Sequence, residues 1–391
     1  MDSPTMKHLV YAVPALIDAG WLVNVIAEKV EPDLPVEFQR IERRIQLPMF
    51  EKFGVLNRVK KYLRDFRIRY PDAIVFGTPG MPYGADVSAV HFLQHIWLRM
   101  SRTVPGMELR DQVWLLLARL DARRAAKEFH CNRKAIWLAV SESIAAELRR
   151  IVARPEMVYV LPNSYDESRF NLGAVDRLRS RKRAELNFRA KDFIFAFLSQ
   201  GHHRRKGFWV AIEALAHLRQ EKPAYDPHFL VIGGTPGTLQ RLKHTLSRQV
   251  QDWREWIHFV GTAGHPEDYL AAADALLLPS YFEAFCLAEI EAAALGLPLL
   301  LTPHYGTEMI LEHFRNGLTI DWDPAVLSKQ LFEFLSGTSP LGELDPVTLR
   351  PRNFKTSVGR ALNRSQYGSA LLEFLETAYE RRAGMLKADF A

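Results

Sequence analysis

Two short stretches hold most of the residues able to do chemistry. The first is SQGHHRRKGF, residues 199–208, which sets His202, His203, Arg204, Arg205 and Lys206 ahead of a predicted helix. Cations at that place oppose the helix macrodipole. A bound anion removes the conflict, because backbone N–H groups, dipole and side-chain charges then all point at it. A solvated basic turn is the other reading of this loop taken alone. The second stretch is PSYFEAFCLAEIEAAALGLPLLLTP, residues 279–303, with Glu283 in a loop and Glu291 in the helix that follows. The N–H groups of Ala284, Phe285, Cys286 and Leu287 open that helix and can form a second anion site.

The helix of the second stretch carries an oddity. On a wheel of about 100° per residue, Leu287, Ile290 and Ala294 form an apolar stripe with Leu295 close by. Glu291 falls inside the stripe and Glu289 on the opposite side. Glu291 is therefore expected on the buried face and Glu289 in solvent. A buried, unpaired carboxylate is costly or loses its charge. Glu291 can reach water from the edge of the stripe, pair with a buried base, or bind a ligand. If a pyrophosphate bridges the two loops, Glu291 can accept hydrogen bonds from both hydroxyls of a ribose. Glu283 can do the same for a sugar beyond the phosphate. Such a ligand is a nucleotide-diphosphate sugar.

The elements that must position these residues form a regular rhythm. FIFAFLSQ (193–200), HFLVIGG (228–234), WIHFVG (256–261), ALLLPS and GLTID near 317 read as strands, separated by helices at 208–218, about 238–253, and beyond Pro324. In the first half LVNVIA (22–27), AIVFG (73–77), AIWLAVS (135–141) and MVYVLPN (157–163) read as strands. Helices are expected over 6–19, 52–68, 108–130, 142–152 and 361–382. Short apolar strands alternating with helices predict α/β domains with parallel sheets covered on both faces. The expected organisation is an N-terminal Rossmann-like domain over 1–165, a linker over 166–190 and a C-terminal Rossmann-like domain over 191–355. A helical tail over 356–391 is expected to pack back on the N-terminal domain. Two doubly wound domains facing across a cleft suit a two-substrate reaction.

Composition narrows the function classes. The chain has 391 residues, 48% hydrophobic and 25% charged, as a globular protein of two domains should. A run of apolar residues long enough for a transmembrane helix is absent. The start of the chain lacks the zones of a signal peptide. The two cysteines, Cys131 and Cys286, are too far apart for a metal or redox motif. A cytoplasmic, reducing location is expected. The net charge of +6 points to anionic partners. Nucleic acid is not among them, since no stacking-aromatic or basic-repeat module is present. Neither a G-x-G-x-x-G dinucleotide motif nor a Walker loop occurs.

The segment PSYFEAFCLAEIEAAALGLPLLLTPHYGTEMI resembles the signature of family 4 retaining glycosyltransferases, whose fold is GT-B. That pattern is a Glu, seven residues, a second Glu, then Ala-x-Ala-x-Gly-x-Pro. Glu283, Glu291, Ala292, Ala294, Gly296 and Pro298 stand in register with it. AVSESIAAEL, LPNSYDESRF and FVGTAGHPEDYLAAADALLLPS are similar to other parts of the family. The loop GHHRRKGFWVAIEALA is most similar to that of lipopolysaccharide core glucosyltransferases. The resemblance implies transfer of a sugar from a nucleotide diphosphate, a UDP-sugar first, to a glycan or lipid-linked acceptor in cell-surface polysaccharide or lipopolysaccharide synthesis. It implies that Lys206, with Arg205 or Arg204, neutralises the pyrophosphate, that Glu291 holds the ribose and that Glu283 holds the transferred sugar. No metal and no separate cofactor is implied. Asp321-Trp322-Asp323 ends a predicted strand and is expected to be structural.

Two departures stand out. Family members place an Arg five residues before the Lys, where this chain has Gly201. The family also opens on a strand and a glycine-rich loop, whereas this chain opens on what reads as the next helix, Met6 to Ala19. The first strand and loop are thus expected to be missing, and a nucleotide-sugar-binding protein without efficient transfer is the alternative function. In VSAVHFLQH (87–95), His91 ends an apolar run and is the better catalytic candidate than His95. RVKKYLRDFRIR (58–69) is a basic amphipathic helix, either solvated or resting on the anionic inner face of a membrane.

Overall fold

A computed structural model describes residues 4–27, 29, 34–40, 48–79, 84–105 and 109–389. The chain divides into two compact units, Met1–Ser164 with Leu362–Ala391, and Tyr165–Ala361.

In the first unit, Phe76–Gly77, Val87–Val90, Ile136–Ala139 and Val158–Val160 form a four-stranded sheet in that spatial order. All pairings are parallel. A separate parallel pair joins Asn24–Ala27 to Glu37–Arg40. Val87–Val90 and Ile136–Ala139 are wholly buried, as strands of a covered parallel sheet are. The helix Arg364–Asp389 packs on the helix Pro4–Asp18 and contributes Tyr367, Leu371 and Leu375 to the core. Its Arg382 meets Asp86 at 3.1 Å, where Arg67 also pairs at 2.7 Å.

In the second unit, Ile194–Leu198, His228–Ile232, Ile257–Gly261, Ala275–Leu278, Leu299–Leu301 and Gly317–Thr319 form one sheet. Numbered along the chain, these six strands lie side by side in the order 3-2-1-4-5-6, all parallel. That is the doubly wound order, and it reverses between strands 1 and 4. Phe195 pairs with Ala275 there, and Ala196 with Leu276. Loops leaving the carboxyl ends of strands 1 and 4 flank the reversal, which is where such sheets place ligands.

Residues 166–190 differ from the expected linker. They carry the helix Val175–Glu185, which belongs to the second unit. Two of its arginines are turned inward: Arg183 Nη1 lies 3.3 Å from the fully buried Asp274, and Arg179 pairs with the same carboxylate. Asp274 also accepts the N–H of Ile194 at 2.7 Å, so these guanidinium groups fix the start of strand 1. Within a segment expected to be a linker, Arg179 and Arg183 are thus partners of a buried charge.

Asp321 and Asp323 serve backbone turns. Asp323 Oδ1 accepts from the N–H groups of Ala325 and Val326 at 2.9 and 3.1 Å and caps the helix Pro324–Leu335. Among the described residues no helix is long and apolar enough to cross a membrane.

Candidate functional site

The loop after strand 1 ends in a tight turn. Lys206 N–H reaches His202 O at 2.9 Å and Gly207 N–H reaches Arg204 O at 3.0 Å. Gly207 then opens the helix Phe208–Glu221 at φ +76°. A Cβ there would lie 2.0 Å from Pro279 O, so only glycine lets this loop touch the start of the loop after strand 4. The contact continues through Tyr281 N–H to Arg205 O at 2.9 Å.

This close approach brings the predicted charges together. Arg205 Nη1 lies 3.0 Å from Glu283 Oε1 and donates to Phe282 O at 2.6 Å. Lys206 Nζ lies 3.5 Å from the same carboxylate oxygen and donates to Cys286 Sγ at 3.1 Å. Lys206, Glu283 and Cys286 are all buried. Burial pushes the Glu283 carboxyl up, but Arg205, Lys206 and then His304 outweigh it and hold the pKa down at about 2. Burial pushes the Cys286 thiol up, so it is neutral at neutral pH. Burial also works against the Lys206 charge. Its pKa nevertheless lies above the usual range, and because Cys286 is a neutral thiol the cause is the Glu283 carboxylate.

Ala284 and Phe285 lie in the same loop, and Leu287 begins the helix Leu287–Ala294 with Cys286 as its N-cap. The first N–H groups of that helix have no intrahelical acceptor. Arg204 is half-buried in the preceding turn. Two cations, one carboxylate and a helix N-terminus thus converge at the point of strand reversal. A group with two or more negative oxygens fits that set of donors.

The helix is buried beyond its apolar stripe: Ile290, Ala294 and Leu295 of the stripe are buried, and so is the side opposite to it. Glu289 is fully buried, and Leu287 and Glu291 are half-buried on the open side. Ala288, Ile290, Ala292 and Ala293 complete a buried arc that passes through Glu289. The wheel gave weight to large side chains, whereas a helix pressed into a close groove buries its alanines. Glu289 meets the partner a buried carboxylate requires in His304, at 2.9 Å. His304 was not among the residues singled out from the sequence, where it is one histidine after a strand.

His91 follows directly on Val87–Val90, at the carboxyl end of that strand in the first unit. Burial lowers its pKa to about 4 against a hydrogen bond with Asn163. Its ring stacks on that of His8 at 5.9 Å between centroids. His95 lies in the helix Gln94–Met100 instead. Among the described residues no group of three or more His, Cys, Asp or Glu is placed to hold a metal ion.

Comparisons with known proteins bear on this geometry. The chain is 28% identical over 204 residues to a D-inositol 3-phosphate glycosyltransferase of Jonesia denitrificans, covering 51% of this chain and 48% of the relative. It thus spans about half the length of the curated relatives it matches. Its fold is similar to the crystal structure of WaaG, a glycosyltransferase involved in lipopolysaccharide biosynthesis, with a TM-score of 0.63, 20% identity and 85% of each chain covered. It is also similar to Anabaena Alr3699/HepE in complex with UDP and glucose, with a TM-score of 0.63, 14% identity and 96% of each chain covered. The fold is therefore GT-B-like, two units with parallel α/β sheets. Residues 179–342, which hold Arg205, Lys206, Glu283 and Glu291, match the family model of glycosyl transferases group 1, and this segment is homologous to glycosyltransferases.

Proposed function

We propose that the chain is a retaining glycosyltransferase. It moves a sugar from a nucleotide-diphosphate donor, a UDP-sugar first, to a glycan or lipid-linked acceptor. One observation carries the reading: Arg205, Lys206 and Glu283 converge where the strand order reverses, inside the segment that matches glycosyl transferases group 1.

The donor's diphosphate takes the place of Glu283 as partner of Arg205 and Lys206, with Arg204 beside them. The N–H groups of Ala284 to Leu287 face the outer phosphate. Glu283, released from the cations, accepts hydrogen bonds from the hydroxyls of the transferred sugar. Glu291, half-buried on the open side of its helix, accepts those of the ribose. As the bond from the anomeric carbon to the phosphate oxygen breaks, the two cations meet the charge that develops. The acceptor oxygen bonds to that carbon on the face the phosphate leaves, and its proton goes to the phosphate. The scheme needs no metal. His91 is a proposed catalytic residue.

The acceptor is open to experiment. The relatives' names place D-inositol 3-phosphate in the acceptor panel, beside lipid-linked and lipopolysaccharide core sugars. The helix Pro48–Arg69 exposes Lys60, Lys61, Arg64 and Arg69 and is the proposed contact with an anionic lipid surface. Radiolabelled UDP-, GDP- and ADP-sugars are incubated with this panel, with and without a chelator. Labelled product of retained anomeric configuration supports the proposal. Tight nucleotide binding with neither transfer nor hydrolysis for any pair would favour a nucleotide-sugar-binding protein instead.

A further inference from the structure

The donor reading gives no task to Glu289 and His304. His304 lies in the loop after strand 5, and its Nε2 is 2.9 Å from Glu289 Oε1 with both side chains at 0% exposure. Its Nδ1 is 2.9 Å from Tyr305 O and 2.9 Å from Thr307 Oγ1. Thr307 donates its own hydroxyl proton to Thr302 O at 3.1 Å, so towards the ring its oxygen accepts. With Glu289 as a carboxylate at Nε2 and acceptors at Nδ1, both ring nitrogens donate. His304 is an imidazolium bonded to a buried carboxylate.

The pair is tied to the anion loop from two sides. Gly306, at φ +87°, runs so close to Ala284 that a Cβ would lie 2.4 Å from the Ala284 carbonyl oxygen. The rings of Tyr305 and Phe282 are 5.8 Å apart between centroids. Phe282 O in turn accepts from Arg205. The residues on either side of Glu283 are therefore held by the segment that His304 anchors.

We propose that the Glu289–His304 pair is a positioning element of the anion site, pinning residues 302–306 against residues 282–286 so that Glu283, Arg205 and Lys206 keep their places for a diphosphate. The inference rests on the donor reading for the nucleotide alone; inorganic pyrophosphate suffices to probe it. The groups facing His304 are Glu289 from its helix, Glu283 from the loop after strand 4, and Tyr305 and Thr307 from its own segment, with Arg205 and Lys206 behind Glu283. Burial works to lower the His304 pKa, and Glu289, the Tyr305 carbonyl and then Glu283 outweigh it in the upward direction. The imidazolium is thus complete below the ordinary histidine range and is lost as pH rises through the raised value.

The full chain is compared with His304→Gln, Glu289→Gln and the double variant, each checked for native fold by circular dichroism. Affinities for inorganic pyrophosphate and for UDP, GDP and ADP are measured from neutral to alkaline pH. In the wild type, affinity falls on the alkaline side. In the single variants it is lower by about tenfold at neutral pH, and the alkaline fall is absent from His304→Gln. If the singles do not fold, the uncharged double variant carries the test, with the same two expectations. A merely structural pair changes the melting temperature and leaves the pH profile of binding intact, and that result overturns the inference. Wild-type binding of pyrophosphate without any nucleotide, with the losses above in the variants, sinks the donor reading and keeps the inference. A wild type that binds neither overturns both.

Discussion

Arg205 Nη1 and Glu283 Oε1 meet at 3.0 Å across the reversal in strand order of the second unit. The cations suited to a diphosphate are thereby already paired with a carboxylate, and Lys206 shares it at 3.5 Å. A diphosphate must compete with Glu283 for them. Glu283→Gln removes the competitor and is expected to raise the affinity for UDP or inorganic pyrophosphate several-fold. The same variant keeps a neutral acceptor oxygen but loses the charged carboxylate that the sugar hydroxyls meet, so turnover of the sugar nucleotide falls. Titration calorimetry with and without the sugar checks the opposite signs. A uniform loss for both ligands would place Glu283 elsewhere in the mechanism.

Lys206→Ala should separate phosphate from base. Its ammonium group lies beside Glu283 and Cys286, with nothing of a nucleoside's chemistry to recognise. Loss of a charge-assisted bond costs about 1.5–3 kcal/mol, which is expected for UDP and not for uridine. The UDP term should also shrink with salt. Equal losses for uridine and UDP would remove Lys206 from the phosphate site.

Gly207→Ala tests the close approach of the two loops. The left-handed backbone at φ +76° costs a residue with a Cβ about 1–2 kcal/mol. The new atom would also meet Pro279 O at 2.0 Å, so the loop must move as well. A fall in melting temperature on the order of 10 °C is expected, with weakened pyrophosphate binding. A variant that melts with the wild type would mean that the loops part at little cost.

Acid should weaken the second unit before its carboxylates titrate. Burial holds His203 neutral down to about pH 4, against 6.5 for the ordinary group. As pH falls below 6.5 the unfolded chain takes up a proton that the folded chain refuses. Stability therefore drops through the window from 6.5 to about 4, by up to about 1.4 kcal/mol per pH unit. His203→Leu should flatten this arm in urea melts, leaving the shares of His202 and His258 in the same unit, which are depressed to about 4 as well. Glu283 adds a separate loss below pH 4.5, as its carboxyl protonates towards about 2. An unchanged acid arm in His203→Leu would contradict the burial cost assigned to that ring.

Breaking the Glu289–His304 pair from one side should cost more than removing both charges. His304→Ala leaves a buried carboxylate whose Oε2 already has no hydrogen-bond partner. That loss is expected at about 3–5 kcal/mol. The Glu289→Gln/His304→Gln variant should regain part of it. Denaturant melts of the two variants give the comparison, and a double variant no more stable than His304→Ala would argue against a coupled pair.

Much of this architecture was legible because continuous apolar runs such as FIFAF and ALLL mark strands buried on both faces. Glu283 was singled out through its spacing from Glu291, and Arg205 and Lys206 through their place ahead of a helix. The structure brings Glu283, Arg205 and Lys206 together. The strand Glu37–Arg40 was not, because it is exposed along its whole length and shows no apolar alternation. The helix Val175–Glu185 was hidden by its arginines, whose buried partner Asp274 lies far along the chain. Glu289 was misplaced because its neighbours Ala288, Ala292 and Ala293 carry little weight on a wheel yet are buried as well. His304 offered only a lone histidine after a strand, and its meaning depends on a carboxylate that periodicity had put in solvent.

The central claim is that the loops after strands 1 and 4 bind the diphosphate and ribose of a sugar donor. Its most direct test is titration calorimetry of UDP, GDP and ADP, each against its nucleoside, on the wild type and on a folded Glu291→Ala variant. The account predicts that at least one diphosphate binds well above its nucleoside, and that Glu291→Ala weakens it by roughly ten- to a hundredfold. Absence of binding for all three diphosphates, or unchanged affinity in Glu291→Ala, would contradict it.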